Sequence, residues 1–160
     1  MSKGLLRREL EDYIVQHDAR MYRLAYSYCR NKEDALDVVQ ESIVKALAHC
    51  GQLKDPEHMQ TWVYRIVVNT ALTVLRKNKR AVPSETMPEE AVTDRYADAD
   101  LYAMLDGLEE KSRTVVVLRF FEDMPLQQIA QVLDENLSTV KSKLYAALRK
   151  LKMECKEEAL

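Results

Sequence analysis

Glycine and proline are scarce in this chain, three and four residues among 160. So few turn formers argue against a fold of many short strands and favour helices. Long apolar runs are missing as well. No stretch approaches the roughly 20 apolar residues that a membrane-spanning helix needs. The opening MSKGLLRREL lacks the apolar segment of a secretory signal, so an intracellular protein is expected. Cysteine is confined to Cys29, Cys50 and Cys155, odd in number and far apart. That spacing offers neither a disulfide framework nor a CxxC metal site, and buried or surface thiols are expected. The histidines form no HExxH, and no phosphate-binding loop or nucleophile elbow occurs. A non-enzymatic protein follows, with no catalytic residue, metal, cofactor or small-molecule substrate.

What is present is a chain that can bury a core. Hydrophobic residues make up 47%, and the 31% that are charged indicate a solvated surface. The net charge of −2 conceals an uneven distribution. Residues 1–80 carry 14 basic and 10 acidic side chains, 81–110 carry 1 and 9, and 111–160 carry 9 and 7. Two mildly basic segments therefore flank an acidic one. Residues 81–100 combine two prolines with acidic bias and lack a sustained apolar period, which reads as a linker. The expected fold is all-α: two small helical domains, 8–80 and 101–156, joined by that linker. In the first, helices are expected over 8–28, 32–49 and 56–79. Asn31 is placed as an N-cap and Pro56 in a first turn. In the second, TVVVLRFF (114–121) has the β-branched content of a strand. A lone strand would have no partner, so a buried helix is expected.

After Pro125 come two short helical patterns. LQQIAQVL places Leu126, Ile129, Ala130 and Leu133 on one face. A break at 134–137 follows, with Ser138 placed to cap the next helix. In that helix Val140, Leu144, Ala147, Leu148 and Leu151 share an apolar face. Opposite lie Ser138, Ser142, Tyr145 and Arg149, flanked by Lys141 and Lys152. The pattern suits a helix-turn-helix whose second helix offers hydroxyls and cations to a major groove. It suits equally an amphipathic hairpin with a solvated basic face.

Two surfaces of the first domain carry a similar ambiguity. Over 34–50, Ala35, Leu36, Val39, Ile43, Ala46, Leu47 and Cys50 form an apolar stripe, opposite Asp34, Asp37, Glu41 and Lys45. Val38 falls among those charges and Val44 also lies off the stripe. Exposed valines beside carboxylates suit a protein-docking face, and also an ordinary solvated one. The third helix ends with Arg76, Lys77, Lys79 and Arg80, which complement its dipole or contact phosphates. Trp62 reads as core.

These segments resemble one family. DALDVVQESIVKAL (34–47) is similar to the region 2.2 motif DAEDLVQETFLRAL of extracytoplasmic-function (ECF) sigma factors. Thr61, Trp62, Tyr64, Arg65, Ile66, Asn69, Arg76 and Lys77 match regions 2.3 and 2.4, with Thr73 where Asp is usual. STVKSKLYAALRKL (138–151) looks like the end of region 4, preceded by Ile129, Ala130 and Leu133. Asp134 replaces the usual turn glycine, Lys143 an Arg and Ser138 a frequent Gly. The resemblance spans about 13–152. It implies an alternative RNA polymerase sigma factor for promoter-specific initiation. Asp34, Asp37, Val38, Gln40 and Glu41 would dock on the β′ clamp helices of core polymerase. Lys54, His58, Thr61, Arg65, Asn69, Arg76, Lys77 and Arg80 would bind a melted −10 element. The resemblance also implies that one base of that element would be unstacked and held by the loop 50–60, an extrusion that costs a few kcal/mol. Ser138, Thr139, Lys141, Ser142, Lys143, Tyr145 and Arg149 would read the −35 element. The resemblance further implies promoter DNA as partner, a cognate anti-sigma factor, often membrane-bound, and a cytoplasmic location, at the membrane where that factor holds it. The rival reading is a two-domain helix-turn-helix regulator that is not a sigma subunit.

Overall fold

The computed structural model describes residues 3–80 and 103–158, with side chains for 4–77 and 103–152. All regular structure among them is helical. The chain forms two compact units, Met1–Glu85 and Thr86–Leu160, taken in turn below. The expected linker at 81–100 lies outside the described residues.

The first unit is three helices, each packed on the other two: α1 (Lys3–Cys29), α2 (Lys32–Ala48) and α3 (Met59–Arg80). Their shared core holds Leu10, Met21, Leu24, Val38, Val63, Tyr64 and Val67, all essentially inaccessible to solvent. The expected helices are present, with two local differences. Helix α1 starts earlier and bends at His17, whose backbone leaves the helical region (φ −120°, ψ 15°). There the imidazole Nδ1 donates to the Tyr13 carbonyl at 2.8 Å and the two rings stack at 4.1 Å. A side chain bonded to the acceptor of its own turn is a recognised cause of a kink. Helix α3 is preceded by a tighter 3₁₀ turn, Pro56–His58, in which the Asp55 carboxylate accepts from the Glu57 N–H at 3.0 Å. Asn31 caps α2 as its position implies, accepting the Asp34 N–H at 3.1 Å.

In the second unit a helical turn at 103–106 leads to α4 (Glu110–Val116), α5 (Leu126–Leu133) and α6 (Leu137–Glu158). Residues 114–118 are buried and helical, so burial outweighs β propensity. The helix then widens into a π turn, Val117–Phe121, which leaves Phe120 55% exposed. Arg113 is the internal fastener of this unit. Its guanidinium is nearly buried and donates to the carbonyls of Leu105 (3.2 Å) and Leu108 (3.3 Å). Lys150 of α6 donates to the Gly107 carbonyl, so two helices hold the same turn.

Candidate functional site

Helix α2 carries the first surface, and the structure corrects the sequence reading there. Val38 is completely buried, so it cannot touch a docked partner. The buried stripe is Ala35, Val38, Val39, Ser42 and Ala46, centred between α1 and α3. Small residues at three of those five positions let two neighbours approach closely, and bulk is excluded. Leu36, expected in the core, is 42% exposed, and Val44 is 66% exposed. At 100° per residue Leu36, Gln40 and Val44 form a row, with Asp37 and Glu41 along one edge. Asp37, Gln40 and Glu41 are exposed and Asp34 is half-buried in the first turn. Glu41 lies 4.0 Å from Lys45, whose ammonium donates to the Thr70 hydroxyl on α3 at 3.2 Å. The face is an apolar row edged by carboxylates. Val44 is exposed as its place off the stripe implied, whereas Leu36 is the member missed from the sequence, and the i, i+4, i+8 spacing with Gln40 and Val44 was the signal for it.

Helix α3 carries the second surface. Thr61, Arg65, Asn69 and Lys77 follow one i, i+4 row of the helix, half-buried at Thr61 and exposed beyond it, with exposed Arg76 beside the row. From 61 to 77 that row runs about 24 Å. Thr73 lies on it, but its hydroxyl donates to the Asn69 carbonyl at 2.9 Å, folded back on its own helix. Arg80 ends the helix, and its side chain lies outside the described residues. Trp62 is half-buried. Lys54 and His58 are exposed on the connection before α3, which is anchored by buried Cys50 and Leu53. His58 Nε2 lies 3.8 Å from the Asp55 carboxylate.

The third surface is the helix-turn-helix of α5 and α6. Ile129 and Ala130 on α5, and Val140, Leu144 and Ala147 on α6, are buried, while Leu148, expected with them, is 37% exposed. Asp134 takes the left-handed conformation (φ 55°, ψ 48°) that the usual glycine adopts without strain. The Glu135 N–H bonds the Ala130 carbonyl at 3.0 Å and the Asp134 N–H bonds Gln131 at 3.4 Å, a Schellman cap. The next helix starts two positions earlier than Ser138 implied. The Asn136 carbonyl accepts from Val140 N–H at 3.1 Å, so Asn136 is the cap residue and Ser138 lies within the first turn. Ser138, Ser142, Tyr145 and Arg149 are exposed within an arc of about 60°. Lys141 flanks them. Thr139 is exposed about 100° away, and half-buried Lys143 stands about 140° away, so neither joins that row.

Of the thiols with described side chains, Cys50 is buried and Cys29 half-buried. Burial, reinforced by the nearby Asp34 carboxylate, pushes the Cys29 thiol up to about 12. Its thiolate fraction at pH 8 should therefore be roughly a thousandfold below that of an ordinary thiol. Peptide-resolved alkylation should find Cys29 protected in the folded chain and labelled after denaturation. The stability linkage has one sign. The folded value is raised, so the contribution is complete below about pH 9 and is lost as pH rises toward 12.

Residues 13–81 match the family model for sigma-70 region 2, and residues 98–151 that for sigma-70, region 4. The RNA polymerase sigma factor SigV of Bacillus subtilis is 43% identical over 151 residues, covering 92% of this chain and 91% of that protein. The ECF RNA polymerase sigma factor SigE of Mycolicibacterium smegmatis is 31% identical over 154 residues, 89% of this chain and 60% of that one. In fold, the chain resembles the sigma factor RpoE of Bartonella quintana, solved with the anti-sigma factor NepR. That likeness has a TM-score of 0.77 at 18% identity, over 91% of this chain and 96% of the other. Two helical units matched in the order region 2, region 4, with such a relative along nearly the whole length, mean that the chain belongs to the extracytoplasmic-function sigma factors of the sigma-70 family.

Proposed function

We propose that this alternative sigma factor, a non-enzymatic initiation subunit, grips polymerase and promoter through the three surfaces described. The reading assigns residues 8–80 to core docking and the −10 element, and 101–156 to the −35 element. On α2, Leu36 and Val44 join Asp34, Asp37, Gln40 and Glu41 as the face toward the β′ clamp helices. On α3 and its preceding loop, Lys54, His58, Thr61, Arg65, Asn69, Arg76, Lys77 and Arg80 face the opened −10 strand. On α6, Ser138, Ser142, Tyr145 and Arg149 face the −35 bases, with Lys141 toward phosphates. Thr139 and Lys143 serve the flanks.

The observation that carries this reading is the Ser138–Ser142–Tyr145–Arg149 row, which is exposed on a helix whose opposite face is buried. That is the disposition of a recognition helix. In vitro transcription with core polymerase over a promoter library tests it. Sigma-dependent transcripts are expected, and their absence with active core would overturn the reading. Core-dependent transcription also separates a sigma subunit from a regulator that merely binds DNA.

Arg149→Ala should weaken binding to a −35 duplex about tenfold, in the range of a lost base contact. Its affinity for core should stay unchanged, as size-exclusion co-elution would show. Promoter affinity should fall as salt rises, because phosphate contacts release counterions. The Bartonella RpoE structure holds that protein with an anti-sigma factor. A cognate anti-sigma partner is proposed for this chain as well. No helix among the described residues is long and apolar enough to cross a membrane. A cytoplasmic place is proposed, at the membrane when such a partner is anchored there.

A further inference from the structure

The turn of the helix-turn-helix contains an unusual residue for its position. In a Schellman cap the second residue past the helix frequently makes an apolar contact back onto it. Here that residue is Glu135, two positions before the first residue of α6. Its side chain is only 13% exposed and lies against α4, where Lys111 Nζ reaches Glu135 Oε1 at 2.9 Å. The Lys111 end of the pair is 46% exposed. Glu135 Oε2 is buried and has no hydrogen-bond partner among the described residues. A half-satisfied carboxylate thus stands where an apolar side chain would otherwise seat the turn.

We propose that Lys111 and Glu135 form a positioning ion pair that seats the turn on α4 and thereby sets the entry of the recognition helix. The proposal rests on the assignment of α6 to the −35 element. Several features support it beyond the contact itself. The pair joins residues 24 positions apart, so it spans two elements and is not an i, i+4 decoration of one helix. The hydrogen bond from Lys111 to Glu135 and the carboxylate's charge raise the Lys111 pKa. Both chain ends of the turn are already fixed by backbone bonds, at Ala130 on one side and Asn136 on the other. The Glu135 side chain therefore anchors a short rigid turn, and a small displacement there is passed directly to α6.

The two partners should respond differently to loss. Removing Lys111 strands a mostly buried carboxylate, which must then move toward water and take the turn with it. Removing the charge of Glu135 strands only a half-exposed ammonium, which can extend into solvent. Replacing both with apolar residues exchanges the ion pair for an apolar contact between the same turn and α4, with no charge stranded.

The test uses holoenzyme reconstituted with the full chain and a promoter fragment selected by the unsubstituted holoenzyme from a randomised library. Affinity is measured with the −35 segment intact and scrambled. Lys111→Met should weaken binding to the intact fragment about fivefold, a typical coupling for contacting residues. It should have no effect on the scrambled one. Lys111→Arg, which keeps the charge, should bind within about twofold of the original. Lys111→Met combined with Glu135→Leu should recover the original affinity, and its melting temperature should be no lower. Core affinity should be constant throughout.

Unchanged binding by Lys111→Met would overturn the proposal. So would an equal loss in the Glu135→Leu background, which would make Lys111 a direct phosphate contact. A loss that persists on the scrambled fragment would place the effect outside the helix-turn-helix and also overturn it. Failure of the unsubstituted holoenzyme to select any −35 sequence would instead overturn the −35 assignment, and this proposal with it.

Discussion

Asp37→Arg should lower affinity for core polymerase about a hundredfold, the scale of a charge reversal within a complementary interface. Asp37 is exposed on α2, along the edge of the Leu36–Gln40–Val44 row. A partner that accepts this face meets apolar side chains beside carboxylates, so it must offer apolar groups beside cations. An arginine at 37 turns an attraction into a repulsion at the border of the apolar contact. The fold should not notice. Arginine is a good helix former, and exposed substitutions of this kind usually stay within about 0.5 kcal/mol. Circular dichroism and thermal melting should match the original chain, while co-elution with core is lost. Unimpaired co-elution would remove α2 from the docking surface. Val38→Ala provides the contrast. Val38 is fully buried, so its truncation should cost about 2 kcal/mol of stability, with core affinity of the folded fraction retained.

Arg113→Met should destabilise the second unit by about 3 kcal/mol. Hydrogen bonds from a charged donor contribute about 1.5–3 kcal/mol each, and a stranded buried carbonyl costs about 1–3. Arg113 makes such bonds to Leu105 and Leu108 from an almost inaccessible position. For a domain of this size that loss lowers the melting temperature by on the order of 15 °C. Lysine is no substitute, because one ammonium cannot reproduce the guanidinium fork toward separate carbonyls. The chain has a single tryptophan, Trp62, in the first unit, so fluorescence and far-ultraviolet dichroism separate the two units. The fluorescence transition should stay in place while part of the dichroism is lost at lower temperature. Coincident, unshifted transitions would mean that the 103–108 turn is held by other contacts.

Most helix positions were legible from the sequence because they rest on local chemistry. Asn31 is a short polar acceptor directly before an apolar period, and it caps α2. Pro56 opens a first turn because its missing N–H has no helical partner to lose. The row of four on α6 follows from a 3.6-residue period alone. Failures came where geometry or competition between neighbouring groups decides. Ser138 looked like a cap, yet Asn136 takes that place, since a left-handed Asp134 ends α5 and brings the next helix in sooner. The bend at His17 and the π turn after Val116 leave no pattern in residue spacing.

The surface of α2 marks the boundary most clearly. Spacing, charge and the gap-free motif at 34–47 determined that a helix there presents carboxylates beside apolar side chains. They placed Val44 outside, as found, but put Leu36 on the buried stripe and Val38 out of it, the reverse of what the structure shows. Periodicity gives a stripe without an origin when apolar residues surround most of the helix, and side-chain size then suggests burying the larger ones. Packing decided otherwise. Helix α2 packs on both α1 and α3, and the face it buries is Ala35, Val38, Val39, Ser42 and Ala46. Leu36 and Val44 are left outside because a helix held between two neighbours buries the face that fits, whatever hydrophobic surface it leaves in water.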